Sequence, residues 1–503
     1  LQTWLPLYLL LSKCADYIIE AGFLCSQKYG TDTARYYTIA DVKRILPHNL
    51  GNSKISLMAD FIDLEHLEPC DSTVEYIRLS FKRWRLDWGL KTARTLMRKG
   101  YKVFINPVNN NVYSDQQYIE VLNKVNELHH YGFSIVDTFD VMRLRDISHR
   151  YYLVENNLLP DITIGLHLHD NLGLAYSLVQ HMISIASPER KIVIDASLLG
   201  MGRAPGNLFI EQIMDYMNDQ FDEEYVIEPI FDAIDDYIAP IKVKNPWWYA
   251  IPYALSEKYY LHRTYAEFLM NKWKLRTNDI EHILSQVSRD EAETFNEKYI
   301  EQLYRDYISI QVNDKDAKRS LSKEIKSRSV LLIAPEASII DNKDEITDFA
   351  KTQEPVIIGV YCNPDFINVE FEFYSNIKRF EVLYKKQHKL IISSNLKRYI
   401  DDNAFVINYD DLAYHSGDFC DDSVLMMLSL LKNMGINEVT IAGFDGVKNG
   451  KGSFYIDSLS RNDRPKNYSE NILSILKKHY SDVKIKFLTE SYYQNCLQED
   501  IHE

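Results

Sequence analysis

Short apolar runs alternate with amphipathic stretches over roughly residues 15–215 of the chain. The amphipathic stretches, such as Leu86–Lys99 and Gln117–Tyr131, have the apolar spacing of helices. Strands that alternate with helices indicate βαβ units and a parallel sheet. The predicted strands are Asp16–Gly22, Lys54–Ala59, Val74–Ser80, Lys102–Pro107, Phe133–Thr138, Ile162–His169 and Lys191–Ala196.

A series of strands at this spacing favours the α/β class and a closed (β/α)8 TIM barrel, which needs eight strands. The pattern supplies only seven, because Leu1–Ala15 has the pattern of a helix and no strand precedes it. The chain also does not begin with Met. We therefore expect the sequence to start one strand late, and in-frame coding sequence upstream would test this.

The rest of the chain divides by composition into three parts. Residues 225–310 are helical and rich in aromatic residues, which indicates a helical extension of the barrel domain at 1–224. Residues 311–329 are polar and charged, as in a linker or a solvated helix. Residues 330–503 predict a Rossmann-like three-layer α/β domain with helices Asp422–Met434 and Asn471–Tyr480. Its predicted strands are Val330–Ala334, Val356–Tyr361, Lys389–Ser393, Val406–Asn408, Glu438–Gly443 and Lys484–Leu488.

Charge and cysteine content narrow the function classes. The net charge of −15 and the lack of a basic stripe argue against nucleic acid and membrane surfaces as partners. The six cysteines form no CxxC pair, which argues against a zinc ribbon or a disulfide framework and fits a reducing cytoplasm. Leu1–Leu11 is apolar but short, contains Pro6 and lacks a basic start, so we do not interpret it as a signal peptide or membrane span.

Two histidines end one of the predicted strands, in the sequence Gly-Leu-His-Leu-His-Asp-Asn at 165–171. Alternation along a strand places His167 and His169 on the same side. If that side faces the barrel interior, the two imidazoles begin a divalent metal site at its carboxyl end. The alternative is a pair of structural histidines at a strand end.

A glycine-bearing loop follows the next strand, in the sequence Asp-Ala-Ser-Leu-Leu-Gly-Met-Gly-Arg-Ala-Pro-Gly-Asn at 195–207. Gly200, Gly202 and Gly206 permit tight backbone paths close to a ligand. Asn207 precedes a predicted helix at Leu208–Met217, so the plain alternative is a βα loop with an N-cap asparagine.

Together the two motifs resemble the HMG-CoA-lyase-like, or pyruvate carboxyltransferase, family. Ile19-Glu20-Ala21-Gly22-Phe23 is similar to the second strand of that family, and Val136-Asp137-Thr138-Phe139 to its sixth. The resemblance covers about residues 1–310. It is closest to 4-hydroxy-2-oxovalerate aldolase-like proteins of polysaccharide gene clusters.

The resemblance implies a divalent metal cofactor (Mn, Mg or Zn) that chelates a 2-oxo acid such as pyruvate and stabilises its enolate. The other implied substrate is an aldehyde, and a homo-oligomer or a partner dehydrogenase is a possible assembly. The implied site consists of metal ligands His167, His169 and Asn207, catalytic residues Glu20, Thr138 and Arg203, and substrate-binding residues Asp137, Gly200 and Gly202.

The chain departs from the family at the first strand. There the family has an Asp-x-x-x-Arg-Asp-Gly type of motif that supplies a further metal ligand, and nothing in this sequence matches it. Three alternatives to an aldolase therefore stay open. They are an acyl-CoA-dependent carboligase of the same family, a degenerate barrel that serves as a scaffold, and a nucleotide-sugar-binding transferase that acts through the second domain.

Polar residues also follow strands of the second domain, where open α/β sheets bind ligands. Asp422–Gly446 is similar to the Rossmann-like domain of some bacterial sialyltransferases and of pterin-pyrophosphokinase-like proteins. Glu336, however, lies where a phosphate-binding turn favours glycine, and its charge opposes a phosphate. The candidate ligand residues are Ser338, Asn376, Asn395 and Asp445. The alternative is an α/β module without a ligand.

Overall fold

The computed structural model describes most of the 503 residues, in two compact units. One unit comprises Leu1–Glu267 with Val287–Phe295, and the other comprises Phe268–Gln286 with Asn296–Glu503. The segment predicted as a helical extension therefore contributes to both units. The described residues are 4–11, 18–30, 33–60, 66–109, 113–138, 142–170, 172–203, 205–272, 274–385, 387–400, 403–414, 420–446, 454–456 and 467–494.

The first unit contains a parallel sheet of eight strands. All seven predicted strands are present. The additional strand has only two residues, and its Arg35 is the register partner of Phe23 on the first strand of the sheet. The strands are β1 Ile18–Leu24, β2 Arg35–Tyr36, β3 Lys54–Asp60, β4 Tyr76–Phe81, β5 Lys102–Pro107, β6 Gly132–Asp137, β7 Thr163–Leu168 and β8 Ile192–Asp195. Their order in the sheet is β2-β1-β3-β4-β5-β6-β7-β8.

This sheet is rolled up as a barrel. Arg78 on β4 forms ion pairs with Glu20 on β1 and with Asp195 on β8. In a flat sheet β4 and β8 would lie four strand spacings, or about 19 Å, apart. An arginine side chain cannot span that distance, so the contact requires the strands to curl around a common interior. The predicted TIM-barrel class is confirmed in this sense.

Helices cover the outside of the barrel strands because their apolar residues recur every three or four positions. In Leu86–Arg98 the buried residues include Leu90, Ala93 and Leu96, which share one face. The predicted helix Gln117–Tyr131 is too long, since it ends at Asn126 and His129 has a positive φ of 47°. The helices of this unit are Trp4–Leu11, Ile39–Lys43, Leu86–Arg98, Asp115–Asn126, Leu144–Asn157, Ala175–Ile185, Ile210–Phe221, Glu228–Ala233, Ala239–Lys244, Ile251–Lys258, Thr264–Asn271 and Arg289–Ala292, with a π-helical turn at Ile234–Ile238.

The second unit contains a parallel sheet of seven strands in the order β13-β12-β11-β10-β9-β14-β15, which is Rossmann-like as predicted. The direction of the strand order reverses between β9 and β14, where such sheets have their ligand crevice. The strand β11 was not predicted, because Glu372 interrupts its apolar run. The strands are β9 Val330–Ile333, β10 Val356–Val360, β11 Phe371–Tyr374, β12 Lys389–Ser393, β13 Ala404–Ile407, β14 Glu438–Ala442 and β15 Lys484–Phe487.

The helices of the second unit include one in the segment predicted as a linker or solvated helix. It spans Lys315–Ile325, and its Leu321 and Ile325 are fully buried. No helix among the described residues is long and apolar enough to cross a bilayer. The helices are Thr277–Leu284, Glu297–Ile308, Lys315–Ile325, Ser338–Asp341, Lys343–Gln353, Ile377–Leu383, Tyr409–Leu412, Ser423–Asn433 and Tyr468–His479.

Candidate active site

His167 and His169 meet at the carboxyl end of β7. Their ring centroids lie 5.0 Å apart, with the rings nearly perpendicular. The Nδ1 atom of His169 lies 2.8 Å from the carbonyl oxygen of Asp137, which requires Nδ1 to carry the proton. Its Nε2 atom is then the basic nitrogen. Burial, together with the neighbouring His167 and Arg78, lowers the pKa of His169 from 6.5 to about 4, so the ring is neutral at pH 7.

Asp195, at the end of β8, orients the other imidazole. Its Oδ2 atom lies 3.1 Å from Nδ1 of His167, which leaves Nε2 as the second basic nitrogen. Carboxylates commonly hold metal-ligating histidines in this way. Burial alone would raise the pKa of Asp195, but Arg78 and His167 outweigh burial and lower the pKa, so the carboxyl group is an anion.

Arg78 connects three strands beneath the histidines. Its Nη1 atom pairs with Asp195 and lies 3.2 Å from Nδ1 of His167, while its Nη2 atom lies 2.6 Å from Oε1 of Glu20. Burial opposes the charge of Arg78, but Glu20 and Asp195 outweigh burial and raise its pKa. Among the described residues, the Nε atom of Arg78 is buried without an acceptor. One donor of this guanidinium is therefore available to a ligand.

Asn207 is held against His169 by the glycine loop. The two residues form an isolated antiparallel bridge, and the amide nitrogen of Asn207 donates to the carbonyl of Met201 at 2.9 Å. A Cβ atom on Gly202 would lie 2.3 Å from that amide nitrogen, so only glycine leaves room for it. Gly200 has a φ of +62°, which also favours glycine. In the part of the chain that the structure describes, Oδ1 of Asn207 is buried and has no hydrogen-bond partner.

These groups fit a divalent cation. Oδ1 of Asn207 is buried without a hydrogen-bond partner among the described residues, and Asn207 forms a backbone bridge with His169. Because the Nδ1 atoms of both histidines are already engaged, the candidate ligand atoms are this oxygen and the two Nε2 atoms. Nitrogen and oxygen ligands of this kind suit Zn, Mn or Mg. Within the described ranges, no group of three His, Cys, Asp or Glu residues is arranged to hold a metal. The candidate ligand set therefore consists of two histidines and one asparagine, without a carboxylate.

The remaining predicted barrel residues have different surroundings. Glu20 pairs with Arg78, as described above. The side chain of Asp137 is buried and accepts from the backbone of Met142 at 2.9 Å. Thr138 accepts from the backbone of Asn109 at 2.8 Å, so it shapes the neighbouring loop. Arg203 is exposed and donates to Thr264 at 3.1 Å. Glu20 thus belongs to the network around the histidines, whereas the side chains of Asp137 and Thr138 are committed to backbone contacts.

Sequence reasoning did not single out four polar residues of the barrel interior. Arg78 and Ser80 were hidden inside a predicted apolar strand, and Asn106 inside another. Asp195 belonged to the glycine-loop motif without an assigned role. A single charged or amide side chain within an otherwise apolar barrel strand could have indicated a functional residue, because an unpartnered polar group is costly inside a core.

In the second unit, Ser338 and Asp445 lie together at the reversal of strand order. The backbone and hydroxyl of Ser338 both donate to the carboxylate of Asp445. The Glu336 carboxylate accepts from the backbone of Asp445 and, at 2.9 Å, of Gly446. The backbone N–H groups that would bind a phosphate at this turn are thus already satisfied by Glu336. Burial raises the pKa of Asp445, and Ser338 only partly offsets it.

The other two candidate residues of the second unit lie elsewhere in the sheet. Asn376 caps the helix Ile377–Leu383, accepting from the backbone of Lys378 at 3.0 Å. Asn395, after β12, donates to the carbonyl of Ser375 at 3.1 Å. The four predicted residues therefore form two separate pairs and no single site.

A largely buried ion pair also belongs to the second unit. Lys274 lies 2.9 Å from the carboxylate of Asp421, which also accepts from the hydroxyl groups of Tyr409 at 2.6 Å and Tyr304 at 3.3 Å. Burial would raise the pKa of Asp421, but Lys274 and Tyr409 outweigh burial and lower the pKa. Each group in this cluster has a partner, which is the pattern of a structural network.

Comparisons with solved structures found several proteins that are similar to part of this chain. The chain is similar to the N-terminal domain of a candidate aldolase from Bacteroides vulgatus, with 20% identity, a TM-score of 0.45, and coverage of 54% of this chain and 90% of that one. It is similar to hydroxymethylglutaryl-CoA lyase from Pseudomonas aeruginosa, with 16% identity, a TM-score of 0.34, and coverage of 40% and 74%. It is also similar to the carboxyl transferase domain of Rhizobium etli pyruvate carboxylase, with 9% identity, a TM-score of 0.35, and coverage of 49% of this chain and 45% of that one.

The sequence of the barrel carries the assignment. Residues 86–231 match the family described as HMGL-like. This range includes β5 to β8, both histidines and the whole glycine loop. Both predicted motifs thus lie in a segment that is similar to the HMGL-like family.

Proposed function

We propose that the protein is a divalent-metal-dependent lyase of the aldol type, which breaks or forms a carbon–carbon bond of a 2-oxo acid. The observation that carries the proposal is the buried Oδ1 atom of Asn207, which has no hydrogen-bond partner among the described residues, on a residue whose backbone forms a bridge with His169. A buried acceptor without a partner, on a residue held against an oriented histidine, supports a metal-binding site. The HMGL-like family match supports a lyase-type enzyme.

His167, His169 and Asn207 would hold the metal, and the bound cation would act as a Lewis acid toward the carboxylate and keto oxygens of the 2-oxo acid. Asp195 and the carbonyl group of Asp137 orient the two imidazoles. The unpartnered Nε–H of Arg78 can donate to a substrate oxygen that gains negative charge. Glu20, whose side chain is 32% exposed, connects this network to solvent.

In the cleavage direction, the C4 hydroxyl group of a 4-hydroxy-2-oxo acid loses its proton, which we assign to Glu20. The C3–C4 bond breaks, and its electron pair remains with C3 as the enolate of the shorter 2-oxo acid. The C4 fragment leaves as an aldehyde, and C3 takes up the proton that Glu20 received. The Arg78 guanidinium, whose position two carboxylates fix, would stabilise the developing anion.

Calorimetry on the full chain tests the proposal. After dialysis against a chelator, Mn²⁺ is titrated into the protein, and pyruvate is then titrated in the presence and absence of Mn²⁺. We expect one Mn²⁺ per chain and pyruvate binding only when Mn²⁺ is present. Substitution of either histidine by Ala, or Asn207→Ala, should abolish or strongly weaken Mn²⁺ binding.

The matched control is His149→Ala, since His149 is an exposed histidine of the same unit that pairs with Asp115. Mn²⁺ binding should be unchanged in this variant. Equal Mn²⁺ binding by the wild type and His169→Ala, or pyruvate binding that ignores Mn²⁺, would contradict the proposal.

A further inference from the structure

Three unpartnered polar atoms lie together in the barrel interior, apart from the candidate metal ligands. Among the described residues, the buried atoms without a hydrogen-bond partner include Nε of Arg78, Oγ of Ser80 and Oδ1 of Asn106. Ser80 is 1% exposed and Asn106 is 2% exposed. Buried polar atoms are nearly always paired, so three orphans in one place indicate a missing partner.

The strand register places these atoms on the interior side. Arg78 points inward, because it contacts Glu20 and Asp195 on other strands. Ser80 lies two residues further along β4 and therefore shares that side. Asn106 on β5 is the direct register partner of Ser80, and register partners in a parallel sheet face the same way.

An aromatic layer lies on one side of these atoms, and the histidines lie on the other. Tyr76, Phe104 and Tyr131 form an aromatic layer toward the amino ends of the strands, with ring centroids 5.2–6.2 Å apart. On the other side, Nη1 of Arg78 lies 3.2 Å from Nδ1 of His167. A ligand that touches Ser80 and Asn106 would thus lie between an apolar floor and the candidate metal site.

The chemistry of the three atoms selects the ligand. The Nε–H group of Arg78 and the hydroxyl group of Ser80 can donate to ligand oxygens, whereas Oδ1 of Asn106 can only accept. A carboxylate or a simple carbonyl compound offers no hydrogen to that acceptor. A hydroxyl group satisfies it and accepts from Ser80 at the same time.

We propose that Ser80, Asn106 and Arg78 bind a hydroxyl-bearing aldehyde as the second substrate, so that the enzyme joins or releases short hydroxyaldehydes in preference to alkyl aldehydes. This inference rests on the lyase function proposed above. In the joining direction, Glu20 removes a methyl proton from pyruvate, C3 of the resulting enolate attacks the aldehyde carbon, and the former carbonyl oxygen takes up that proton from Glu20. The hydroxyl group of the aldehyde does not react and serves only for recognition.

The test compares glyceraldehyde with propanal, which has the same number of carbon atoms and no hydroxyl group, as partners for pyruvate and Mg²⁺. We expect kcat/KM of the wild type to favour glyceraldehyde by about 100-fold or more, because a site built around a substrate hydroxyl rejects the analogue that lacks it. Ser80→Ala and Asn106→Leu should each reduce this ratio by about tenfold, as expected for the loss of one hydrogen bond.

The matched control is Tyr118→Phe. The hydroxyl group of Tyr118 is another buried group without a partner among the described residues, but it belongs to the outer helix Asp115–Asn126. The ratio should not change in this variant. Ser80→Ala removes a single oxygen, so it remains a usable test if Asn106→Leu does not fold.

A separate half-reaction distinguishes failure of this inference from failure of the lyase proposal. Exchange of the methyl protons of pyruvate in D₂O with Mg²⁺ reports enolate formation and needs no aldehyde. If the wild type catalyses exchange but does not discriminate between the aldehydes, or if both variants keep the wild-type ratio, the hydroxyaldehyde subsite is wrong and the lyase proposal stands. If there is neither exchange nor metal binding, both are wrong.

Discussion

Both parallel sheets collect polar residues at the carboxyl ends of their strands, but the two units treat these residues differently. In the barrel, Asn207, Asn106 and Ser80 each retain a buried atom without a partner among the described residues. In the second unit, no described side chain has such an atom, and Lys274 and Asp421 are enclosed by each other and by tyrosines. The barrel sheet therefore has buried polar atoms without a partner, whereas the polar groups of the second sheet are paired with one another.

The difference teaches where to look for ligand binding. A turn at the strand-order reversal of a Rossmann-like sheet commonly binds phosphate. Here Glu336 accepts from the backbone N–H groups of Asp445 and Gly446 at that turn. The position of a turn in the fold is thus insufficient to identify a ligand site. What distinguishes the two sheets is whether the polar groups at their strand ends already have hydrogen-bond partners. The following predictions test this contrast, from the largest expected effect to the smallest.

His169→Ala should remove function from the barrel while leaving its fold intact. We expect the loss of Mn²⁺ binding and a fall in lyase activity of about 1,000-fold, since a Lewis acid supplies several kcal/mol to the transition state. The midpoint of thermal unfolding of the metal-free protein should change little. Activity measurements with His149→Ala as the control check this, and activity above about one tenth of wild type would contradict it.

Lys274→Met should have the opposite profile, a loss of stability without a loss of metal binding. Removal of one partner leaves the Asp421 anion buried and unpaired, which costs about 3 kcal/mol in the free energy of unfolding. Urea denaturation measures this. Lys351→Met is the control, because its pair with Asp348 is exposed and should contribute less than about 1 kcal/mol. Similar losses in the two variants would contradict the structural role of Lys274.

Asp195→Asn should weaken metal binding without abolishing it. The amide keeps the size of the side chain but loses the charge that orients His167 and pairs with Arg78. We expect a 10- to 100-fold rise in the Kd for Mn²⁺, about the effect of other partners that orient metal ligands. Calorimetry measures the Kd for Mn²⁺ in this variant. An unchanged Kd would contradict the role of Asp195 in orienting His167.

Gly202→Ala should displace Asn207, since the new Cβ atom would lie 2.3 Å from its amide nitrogen. We expect the Kd for Mn²⁺ to rise by about tenfold, at the lower end of such indirect effects. Gly173→Ala is the control, because its φ of +66° strains alanine but no atom lies within 4 Å. It should cost about 1 kcal/mol of stability and leave the Kd unchanged. Equal effects of the two substitutions on the Kd would contradict the steric argument.

The smallest expected effect is the acid dependence of the second unit. The pKa of Asp421 is lowered from 3.8 in the folded protein, so its ion pair contributes stability above pH 3.8 and loses it as the pH falls through the lower folded value. The difference in unfolding free energy between the wild type and Asp421→Asn should therefore be constant near neutral pH and shrink below pH 3.8. Urea denaturation across this range checks it, and a difference that grows toward low pH would contradict it.

Much of the architecture could be read from local patterns. The seven predicted barrel strands were found because βαβ units bury their strands on both faces, which leaves long apolar runs. The same reasoning missed β11, where the buried Glu372 breaks the run and is satisfied by Tyr374 at 2.6 Å and Asn363 at 3.0 Å. It also extended one helix past Asn126, since the positive φ of His129 has no strong local signature.

The sequence by itself determined the barrel, the Rossmann-like sheet and the candidate histidine pair, because hydrophobic periodicity and strand alternation are local properties. Only the tertiary structure decided which polar groups lack a partner. Arg78 and Ser80 were indistinguishable from minor interruptions of a strand until the sheet rolled up and brought Glu20, Asp195 and His167 around Arg78. Hydrogen bonds across a barrel join residues that are far apart in the chain, and no local pattern records whether they are made.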